Sequence, residues 1–581
     1  MLFIEKIMSH VQDMPDATAL SQMVNGQWRH LSWQQAWTQA QQIAAGIAQQ
    51  GVHRGDRVAI FANNSIEWTL VDIACMALGV VSIPVYATSS ADQIEYVLNH
   101  SEAKLVFADP DLLPNIENLR DKLPTVVAAI SMAVNEAPHD SALSLASWFT
   151  QSFEPAIFVT ASPDDLLTIV YTSGTTGNPK GVMTTHRNLL AAIQAHLSGI
   201  EFNAGDRSLA ALPLSHIFER GWTYIALYAG GHNHYVADIN ELQNQLAAVK
   251  PHVFCAVPRI FEKIHAGIFQ KAKKAGAFNY AILKWADARV RYNQRQLQQD
   301  KKLSPYSVLM QQLAKQLVGK KIASALGGHI RFMPCGGAAL DPDIHGFFMG
   351  LGINVKIGYG MTETLATVSF MPDEGYALGS LGKPMNGIDI RIAEQNHEIL
   401  VRSPSMTPGY YKDEKATAEL IKDGWLHTGD AGRFDEEGNL IFEERIKELM
   451  KTSAGKYIAP QHVEGVLARE PLFEQIAVIA DARNYATALI VPAWEALEEY
   501  ARSINLIYES KLDLLKDSNI LNHIEERLQA VQIGLARYEQ IKRFTLLPRE
   551  FSMAEGEITP TMKLRRKVIS QRFAQEIKSM Y

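Results

Sequence analysis

Short apolar runs alternate with amphipathic helical patterns from about Gly26 to Val355. Ser65 and Ser90 are expected to cap two of the helices, and Gly79 is expected to end the first of them. Because strands that alternate with helices form parallel sheets, this region is predicted to contain parallel-type α/β sheets covered by helices. The runs expected to form strands include 57–62, 104–107, 209–212, 253–257 and 331–334.

The pattern changes near residue 379. From 379 to 443, short strands are separated by Gly-Lys-Pro, Pro-Gly-Tyr-Tyr and Glu-Glu-Gly-Asn turns, which is typical of a small β subdomain. Farther along, strand-like runs at 475–480 and 488–491 accompany helical patterns over 494–538. The predicted fold class is α/β, with a large N-terminal domain (1–444) that contains two parallel-type sheets and the β subdomain, and a small α+β C-terminal domain (445–581).

Composition agrees with a globular protein of more than one domain, because 581 residues exceed what one hydrophobic core usually supports. A net charge of -7 disfavours nonspecific binding to nucleic acid. The three cysteines, Cys75, Cys255 and Cys335, lie in apolar stretches without a CxxC pair, so buried reduced thiols are expected. The first residues lack the pattern of a signal peptide, and the apolar run from Ile73 ends at Pro84, so the protein is expected to be cytoplasmic without a membrane span.

A basic segment stands out against this acidic average. Between Lys263 and Lys321 there are thirteen Lys or Arg residues and two Asp or Glu residues, with apolar positions that predict two or three amphipathic helices. One hypothesis is a peripheral contact with the anionic inner face of a membrane. The alternative is a solvated helical surface whose apolar side packs on the core, and both interpretations stay open.

One segment, 171–181, has the composition of a phosphate-binding loop. It reads Tyr-Thr-Ser-Gly-Thr-Thr-Gly-Asn-Pro-Lys-Gly, in which glycines allow several N–H groups to face one anion while hydroxyls and Lys180 add donors and charge. The loop follows a strand at Leu166–Val170 and precedes a helix at His186–Leu197, an order that favours an anion site. It lacks the Walker register, and a flexible linker is the alternative. The nucleotide-binding candidates are Thr172, Ser173, Gly174, Thr175, Thr176, Gly177 and Lys180.

This loop resembles the signature of the adenylate-forming superfamily, and seven further segments resemble its other motifs in the same order. The branch that the chain resembles most is the long-chain fatty acyl-CoA synthetases (AMP-forming). The resemblance covers nearly the whole chain and rests on the segments 212–220, 336–340, 358–363, 425–430, 444–448, 451–456 and 559–563.

The resemblance implies a two-step reaction. ATP and a fatty acid give acyl-AMP and pyrophosphate, and the CoA thiol then gives acyl-CoA and AMP, while the mobile C-terminal domain rotates between the steps. Lys563 is expected to promote the first step, Glu363 to hold Mg²⁺ and His216 to lie near the acyl carbonyl. The other ATP-binding positions are Gly336, Gly337, Ala338, Tyr359, Gly360, Thr362, Asp430 and Arg445, and the CoA or hinge positions are Lys447, Ser453 and Gly455.

More specific roles also follow from the resemblance. Tyr359 is expected to lie against adenine, opposite the 336–338 segment, and Asp430 to accept both ribose hydroxyls, with Arg445 holding ribose or phosphate. Each position has an ordinary structural alternative, such as a hinge salt bridge for Arg445 or a structural histidine for His216. Arg565, Arg566 and Lys567 are expected to be solvated.

Two other functions stay open. The first is an acyl-AMP ligase that transfers its product to a carrier protein, although no insertion interrupts 430–459, where such enzymes tend to have one. The second is a silent acyl-nucleotide binder, which the carboxylates and Lys563 disfavour. The sequence predicts neither the acyl chain length nor an oligomeric state.

Overall fold

The computed structural model describes residues 1–134, 143–154, 161–172, 178–297, 301–446, 448–453, 456–553, 555–559 and 563–581. Its strands, in chain order, are β1 (Thr18–Val24), β2 (Gln27–Ser32), β3 (Arg57–Phe61), β4 (Val81–Val85), β5 (Ala103–Ala108), β6 (Ala128–Ser131), β7 (Leu143–Ser144), β8 (Leu166–Thr172), β9 (Lys180–Thr185), β10 (Arg207–Ala210), β11 (His232–Tyr235), β12 (Val253–Phe254), β13 (Met333–Cys335), β14 (Val355–Tyr359), β15 (Ser369–Phe370), β16 (Lys383–Pro384), β17 (Asp389–Ile392), β18 (Glu398–Arg402), β19 (Ile421–Lys422), β20 (Trp425–Phe434), β21 (Leu440–Arg445), β22 (Met450–Lys451), β23 (Tyr457–Ile458), β24 (Phe473–Ile479), β25 (Ala486–Pro492) and β26 (Ile541–Leu546).

The α-helices, in chain order, are α1 (Phe3–Asp13), α2 (Trp33–Gln49), α3 (Ile66–Leu78), α4 (Ala91–Ser101), α5 (Leu113–Glu117), α6 (Leu145–Thr150), α7 (His186–Leu197), α8 (Ile217–Tyr228), α9 (Leu242–Val249), α10 (Pro258–Lys274), α11 (Ala277–Leu297), α12 (Pro305–Ala314), α13 (Lys320–Ala325), α14 (Pro342–Gly350), α15 (Glu414–Leu420), α16 (Pro460–Leu467), α17 (Trp494–Ser503), α18 (Lys511–Leu514), α19 (Ser518–Val531), α20 (Arg566–Arg572) and α21 (Ala574–Ser579).

Two large sheets of mainly parallel strands form the first part of the chain, as predicted. The seven-stranded sheet has the order β7-β6-β5-β3-β4-β8-β9, and its pairs are parallel except for β8 with β9. The five-stranded sheet has the order β12-β10-β11-β1-β2, antiparallel only at β1 and β2. Helices cover both sheets, and the α/β prediction is confirmed.

The later strands form smaller antiparallel and mixed sheets. Strands β17, β18, β20 and β19 follow one another in an antiparallel sheet, with β21 also paired to β20, so the predicted β subdomain is present. The three-stranded sheet β24-β25-β26, with helices α16 to α21, forms the α+β C-terminal part. The boundary between 444 and 445 stays a prediction.

Local capping explains where several helices begin and end. The Ser65 side chain accepts a hydrogen bond from Trp68 N at the start of α3, and Ser90 does the same for Gln93 N at the start of α4. Gly79 ends α3 with φ of 65°, a left-handed conformation that glycine adopts without strain. These three predictions are confirmed. The three cysteines are buried and free, also as predicted.

The predicted order of a strand, a glycine-rich loop and a helix is wrong in one respect. The helix α7 spans the predicted residues, but β9 intervenes and pairs antiparallel with β8. The side chain of Thr185 at the end of β9, and not the loop, caps α7. The loop therefore connects two paired strands, so the N-terminus of α7 does not provide its anion-binding groups.

A fully buried ion pair joins the helices above the seven-stranded sheet to the sheet itself. Arg220 in α8 contacts both carboxylate oxygens of Asp72 in α3, with the shorter contact 2.5 Å. The guanidinium also donates to Thr168 Oγ1 on β8 at 2.8 Å and to Ser82 Oγ on β4 at 2.6 Å. Since every polar group has a partner, this pair fixes α8 relative to β8.

Among the described residues, no helix combines the length and apolar character that a bilayer span requires.

Candidate functional site

Strand β8 leads into the glycine-rich segment, and β9 leads out of it. Thr172 and Lys180 are cross-strand partners, which places both at the same end of this pair of strands. The exposed ammonium group of Lys180 lies 4.8 Å from the centre of the Tyr410 ring. The candidates Ser173, Gly174, Thr175, Thr176 and Gly177 lie outside the described residues.

Glu363 is buried beside Tyr410 in a short 3₁₀ helix that begins at Thr362. Tyr410 Oη donates to Glu363 Oε1 at 2.7 Å. Burial raises the pKa of Glu363, and this hydrogen bond partly offsets the increase by favouring the carboxylate. The following residues Leu365 and Ala366 have φ of 54° and 77°, so this turn holds two non-glycine residues in a left-handed conformation.

Two of the predicted glycines allow backbone segments to approach each other, and a third has a left-handed conformation. A Cβ on the buried Gly336 would lie 3.3 Å from both Gly358 O and the Phe218 ring, so a side chain would compress this contact. A Cβ on Gly360 would lie 1.3 Å from Ala366 O. A Cβ on Gly337 would make only an ordinary contact of 3.8 Å with Val257, but Gly337 has a φ of 87°, so conformation and not the expected crowding favours glycine there. Ala338, the next residue, is exposed.

Asp430 and Arg445 are cross-strand partners on β20 and β21. Tyr359 Oη donates to Asp430 Oδ2 at 2.7 Å. Arg445 Nε lies 3.1 Å from Asp430 Oδ1, but the contact is not aligned as a hydrogen bond, and this buried oxygen has no hydrogen-bond partner among the described residues. Burial raises the pKa of Asp430, and Arg445 partly offsets it. A buried acceptor without a donor fits a ligand hydroxyl.

Lys563 brings the C-terminal part of the chain to these groups. Its side chain is exposed within a cleft, close enough to interact electrostatically with Arg445, Asp430 and Glu363. The surrounding protein lowers the pKa of Lys563 by desolvation, and Arg445 lowers it further.

His216 is the capping residue at the N-terminus of α8 and lies close enough to Lys563 to interact with it electrostatically. Its Nδ1 accepts from Phe218 N at 3.1 Å, which leaves the proton of the neutral ring on Nε2. Burial, and then the nearby Lys563, lower the pKa of His216 to about 4. His216 is therefore a neutral hydrogen-bond donor at neutral pH.

Ion pairs hold the C-terminal part in this position. Arg469, which follows α16, forms an ion pair of 2.5 Å with Asp341, the capping residue of α14. Arg259 in α10 forms another with Glu474 on β24. By contrast, Ser453 contacts Asn484 Oδ1 at 2.7 Å within the C-terminal part. Lys447 and Gly455 lie outside the described residues.

Sequence reasoning missed three neighbours of the site and misjudged a fourth residue. The sequence pattern identifies Tyr410, which contacts Glu363, only as part of a turn. It assigns no individual role to Phe218, next to Gly336, or to Glu448, which interacts with Lys563 and Arg445. The expectation that Arg566 is solvated is wrong, because its guanidinium binds both carboxylate oxygens of Glu464 at 2.6 Å.

The donor set around Glu363 fits one type of metal site. Within the described ranges, no three His, Cys, Asp or Glu side chains are grouped to bind a metal ion by themselves. A single buried carboxylate suits Mg²⁺, which usually takes one or two protein carboxylates and completes its shell with water and phosphate oxygens.

Comparison with known families gives two matches that together cover most of the chain. The model described as "AMP-binding enzyme" matches residues 8–411, and the model described as "AMP-binding enzyme C-terminal domain" matches residues 447–581. Residues 1–7 and 412–446 lie outside both matches.

Relatives extend over nearly the same length. The long-chain-fatty-acid–CoA ligase FadD15 of Mycobacterium bovis is 34% identical over 99% of this chain and 96% of its own. The peroxisomal long chain acyl-CoA synthetase 7 of Arabidopsis thaliana is 32% identical over 96% of this chain and 82% of its own. The solved A domain of carboxylic acid reductase from Segniliparus rugosus, in complex with AMP and a co-purified carboxylic acid, is 20% identical with a TM-score of 0.79, covering 100% of this chain and 94% of that one. At 20% identity, the similarity to this solved structure shows the fold alone.

Proposed function

We propose that this chain, which belongs to the AMP-binding enzyme family, is a long-chain fatty acid:CoA ligase. The observation that carries the proposal is the convergence of Lys563, Glu363 and Asp430 in one cleft although they lie far apart in sequence. Relatives named for long-chain acids, more than 30% identical over nearly the whole chain, support the substrate class.

In the first half-reaction a fatty carboxylate attacks the α-phosphate of ATP. Because both reactants are anions, the residues contribute mainly by positioning them and by supplying positive charge. Lys563 would approach the substrate carboxylate and the bridging oxygens, while Lys180 would contact the phosphates. The Oδ1 atom of Asp430, which lies in an ion pair with Arg445 but accepts no hydrogen bond among the described residues, would accept a ribose hydroxyl. Tyr359 would lie against adenine next to the segment that begins at Gly336.

Mg²⁺ fits beside Glu363, whose carboxylate would hold it. Bound there, the ion would neutralise phosphate charge as the negative charge redistributes. Tyr410 would orient the Glu363 carboxylate through its hydrogen bond, and His216 would offer its Nε2 proton to the acyl carbonyl or carboxylate.

In the second half-reaction the CoA thiol displaces AMP from the acyl adenylate. Ser453, Gly455 and the rest of the 451–456 loop would then approach the acyl adenylate, and Lys563 would leave. A rotation of the C-terminal domain about Lys447 is our proposal for this exchange. The position of Lys563 supports the adenylating arrangement for the described conformation.

We also propose that this enzyme is cytoplasmic and contacts the inner membrane face through the basic segment 263–321, because long-chain acids partition into bilayers.

The first test is ATP–pyrophosphate exchange over a panel of fatty acids, followed by mass detection of the product with CoA. Exchange with long-chain acids together with acyl-CoA formation is expected. Exchange without acyl-CoA would instead identify an acyl-AMP ligase that uses a carrier protein. Absence of exchange with every acid would contradict both.

A further inference from the structure

The helix α12 carries its apolar side chains outward. Tyr306, Leu309, Leu313 and Leu317 follow one another at three- or four-residue spacing along α12 and the turn after it, and each leaves 42% to 62% of its surface exposed. An amphipathic helix on a globular protein normally buries such a stripe.

The inner side of α12 is held by polar contacts. Asn293 in α11 donates to Gln311 Oε1 at 2.5 Å and to Ser307 O at 3.3 Å, while Gln311 Nε2 donates to Gly350 O at 2.7 Å. The orientation of α12 is therefore fixed with its leucines toward solvent. The earlier helix α10 differs, because its apolar residues Ile264 and Ile268 pack on the core.

A cleft beside this stripe has the composition of a site for a lipid headgroup. It has a volume of about 410 Å³ and is lined by Trp285, Arg289, Tyr292, Ser304, Tyr306 and Ser307. The Arg289 guanidinium lies 5.3 Å from the Tyr292 ring and 5.7 Å from the Tyr306 ring. Its buried Nε has no hydrogen-bond partner among the described residues. Arginine and aromatic side chains together suit a phosphate at an apolar boundary.

Positive charge surrounds both features. Lys302 precedes α12, and Lys320 and Lys321 follow the stripe, all exposed. Among the described residues from 284 to 321, Asp287 is the one acidic side chain, and it is paired with Arg291. A second copy of the chain across a two-fold axis would place this basic surface against itself, which repulsion disfavours.

We infer that α12 and the Arg289 cleft form a docking face for an anionic phospholipid bilayer. The inference rests on the proposed membrane contact and narrows it from the whole basic segment to this face. The leucine stripe enters the headgroup boundary, the lysines contact the lipid surface, and Arg289 binds a lipid phosphate.

The test is sedimentation of the full chain with vesicles of phosphatidylcholine alone and of phosphatidylcholine mixed with phosphatidylglycerol. Wild type is expected to bind the mixed vesicles, and Leu309→Ser/Leu313→Ser to reduce the partition coefficient about tenfold. Lys320→Gln/Lys321→Gln is expected to reduce binding to the mixed vesicles alone. Ile507→Ser/Ile533→Ser, at two exposed positions in the C-terminal part, is the matched control and should bind like wild type.

Several results would overturn the inference. If the leucine variant bound like wild type, the membrane contact would involve another surface, and if wild type bound neither vesicle, the contact itself would be wrong. If the wild type formed a dimer and the leucine variant were a monomer, the α12 face would instead bind a second copy of the chain. ATP–pyrophosphate exchange with detergent-dispersed fatty acid is measured on the same samples. Because it needs no vesicle, it separates failure of docking from failure of the proposed ligase activity.

Discussion

Tyr410 links Lys180 to Glu363. Its hydroxyl donates to the Glu363 carboxylate at 2.7 Å, and its ring faces the Lys180 ammonium group at 4.8 Å. The backbone of Tyr410 also forms an antiparallel bridge with Val182 on β9. The β subdomain thereby positions the carboxylate that we propose for Mg²⁺.

Tyr410→Phe is expected to weaken Mg²⁺ binding by removing this hydrogen bond. Loss of a group that orients a metal ligand typically costs about 10–100-fold in affinity, so the Mg²⁺ concentration for half-maximal pyrophosphate exchange should rise by about tenfold or more. Tyr411→Phe, at the neighbouring position, is the control. An unchanged Mg²⁺ titration in Tyr410→Phe would contradict the assignment of Glu363.

Lys563→Ala should separate the two half-reactions. Removing a preorganised positive donor costs about 2.7–4 kcal/mol, so adenylation is expected to slow by about 10²–10³-fold. Thioester formation from preformed acyl-AMP should change little, since we propose that Lys563 leaves the cleft before that step. Single-turnover assays of each step give the comparison, with the exposed Lys567→Ala as control. Equal losses in both steps would refute this division of roles.

The lowered pKa of Lys563 predicts an alkaline limit on adenylation. Lys563 acts in its charged form, so kcat/KM should fall as pH rises through its pKa, which lies below that of an ordinary lysine. The kcat/KM profile reports groups of the free enzyme, in which this shift applies. Lys563→Arg keeps its charge at these pH values, so the alkaline decline should disappear in that variant. If the alkaline decline in kcat/KM persisted in Lys563→Arg, a group other than Lys563 would be its cause.

Arg469→Ala should favour release of the C-terminal domain. The ion pair with Asp341 joins the two parts of the chain in the conformation that places Lys563 in the cleft. As a partly exposed pair it contributes at most about 1 kcal/mol, so adenylation should slow by about two- to fivefold while thioester formation is unchanged or faster. Substituting the arginine is preferable, because Asp341 also accepts from Asp343 N and Ile344 N to cap α14. Arg402→Ala, which removes an exposed ion pair within the β subdomain, should change neither rate.

Glu219→Gln should stabilise the fold at alkaline pH. Burial raises the pKa of Glu219 to about 8, although Leu212 N and the Cys255 thiol donate to the carboxylate. Between an unfolded pKa of about 4.3 and this value, the folded state binds more protons, so stability falls as pH rises. The substitution should remove that slope and raise the free energy of unfolding at pH 8 by about 1–3 kcal/mol. Denaturant titrations from acid to alkaline pH test this, with the exposed Glu419→Gln expected to retain the wild-type slope.

Most of the fold was predictable because its signals are local. Ser65 and Ser90 cap helices through residues three positions away, and apolar spacing fixed the limits of α7 correctly. Strand β9 was missed because its six residues follow a polar loop and run directly into the helix, so a separate period is hard to recognise.

The missed site residues act through distant contacts. Tyr410 reaches Glu363 across 47 positions, and Arg566 reaches Glu464 across 102. Neither partner can be read from composition, and a run of basic residues ordinarily indicates a solvated surface. The outward leucines of α12 pose the same difficulty, since helical periodicity identifies an apolar face but not the side on which it lies.

The buried pair of Arg220 and Asp72 constrains how this enzyme can be altered by evolution or by design. Because the guanidinium on α8 contacts one other helix, α3, and two strands, β4 and β8, no single replacement at either position can satisfy all of these partners. Variation that tunes the accepted acid must therefore accumulate elsewhere, while α8, and with it His216, keeps its place relative to β8. Libraries that randomise the cleft should leave this pair fixed and draw their diversity from the residues around it.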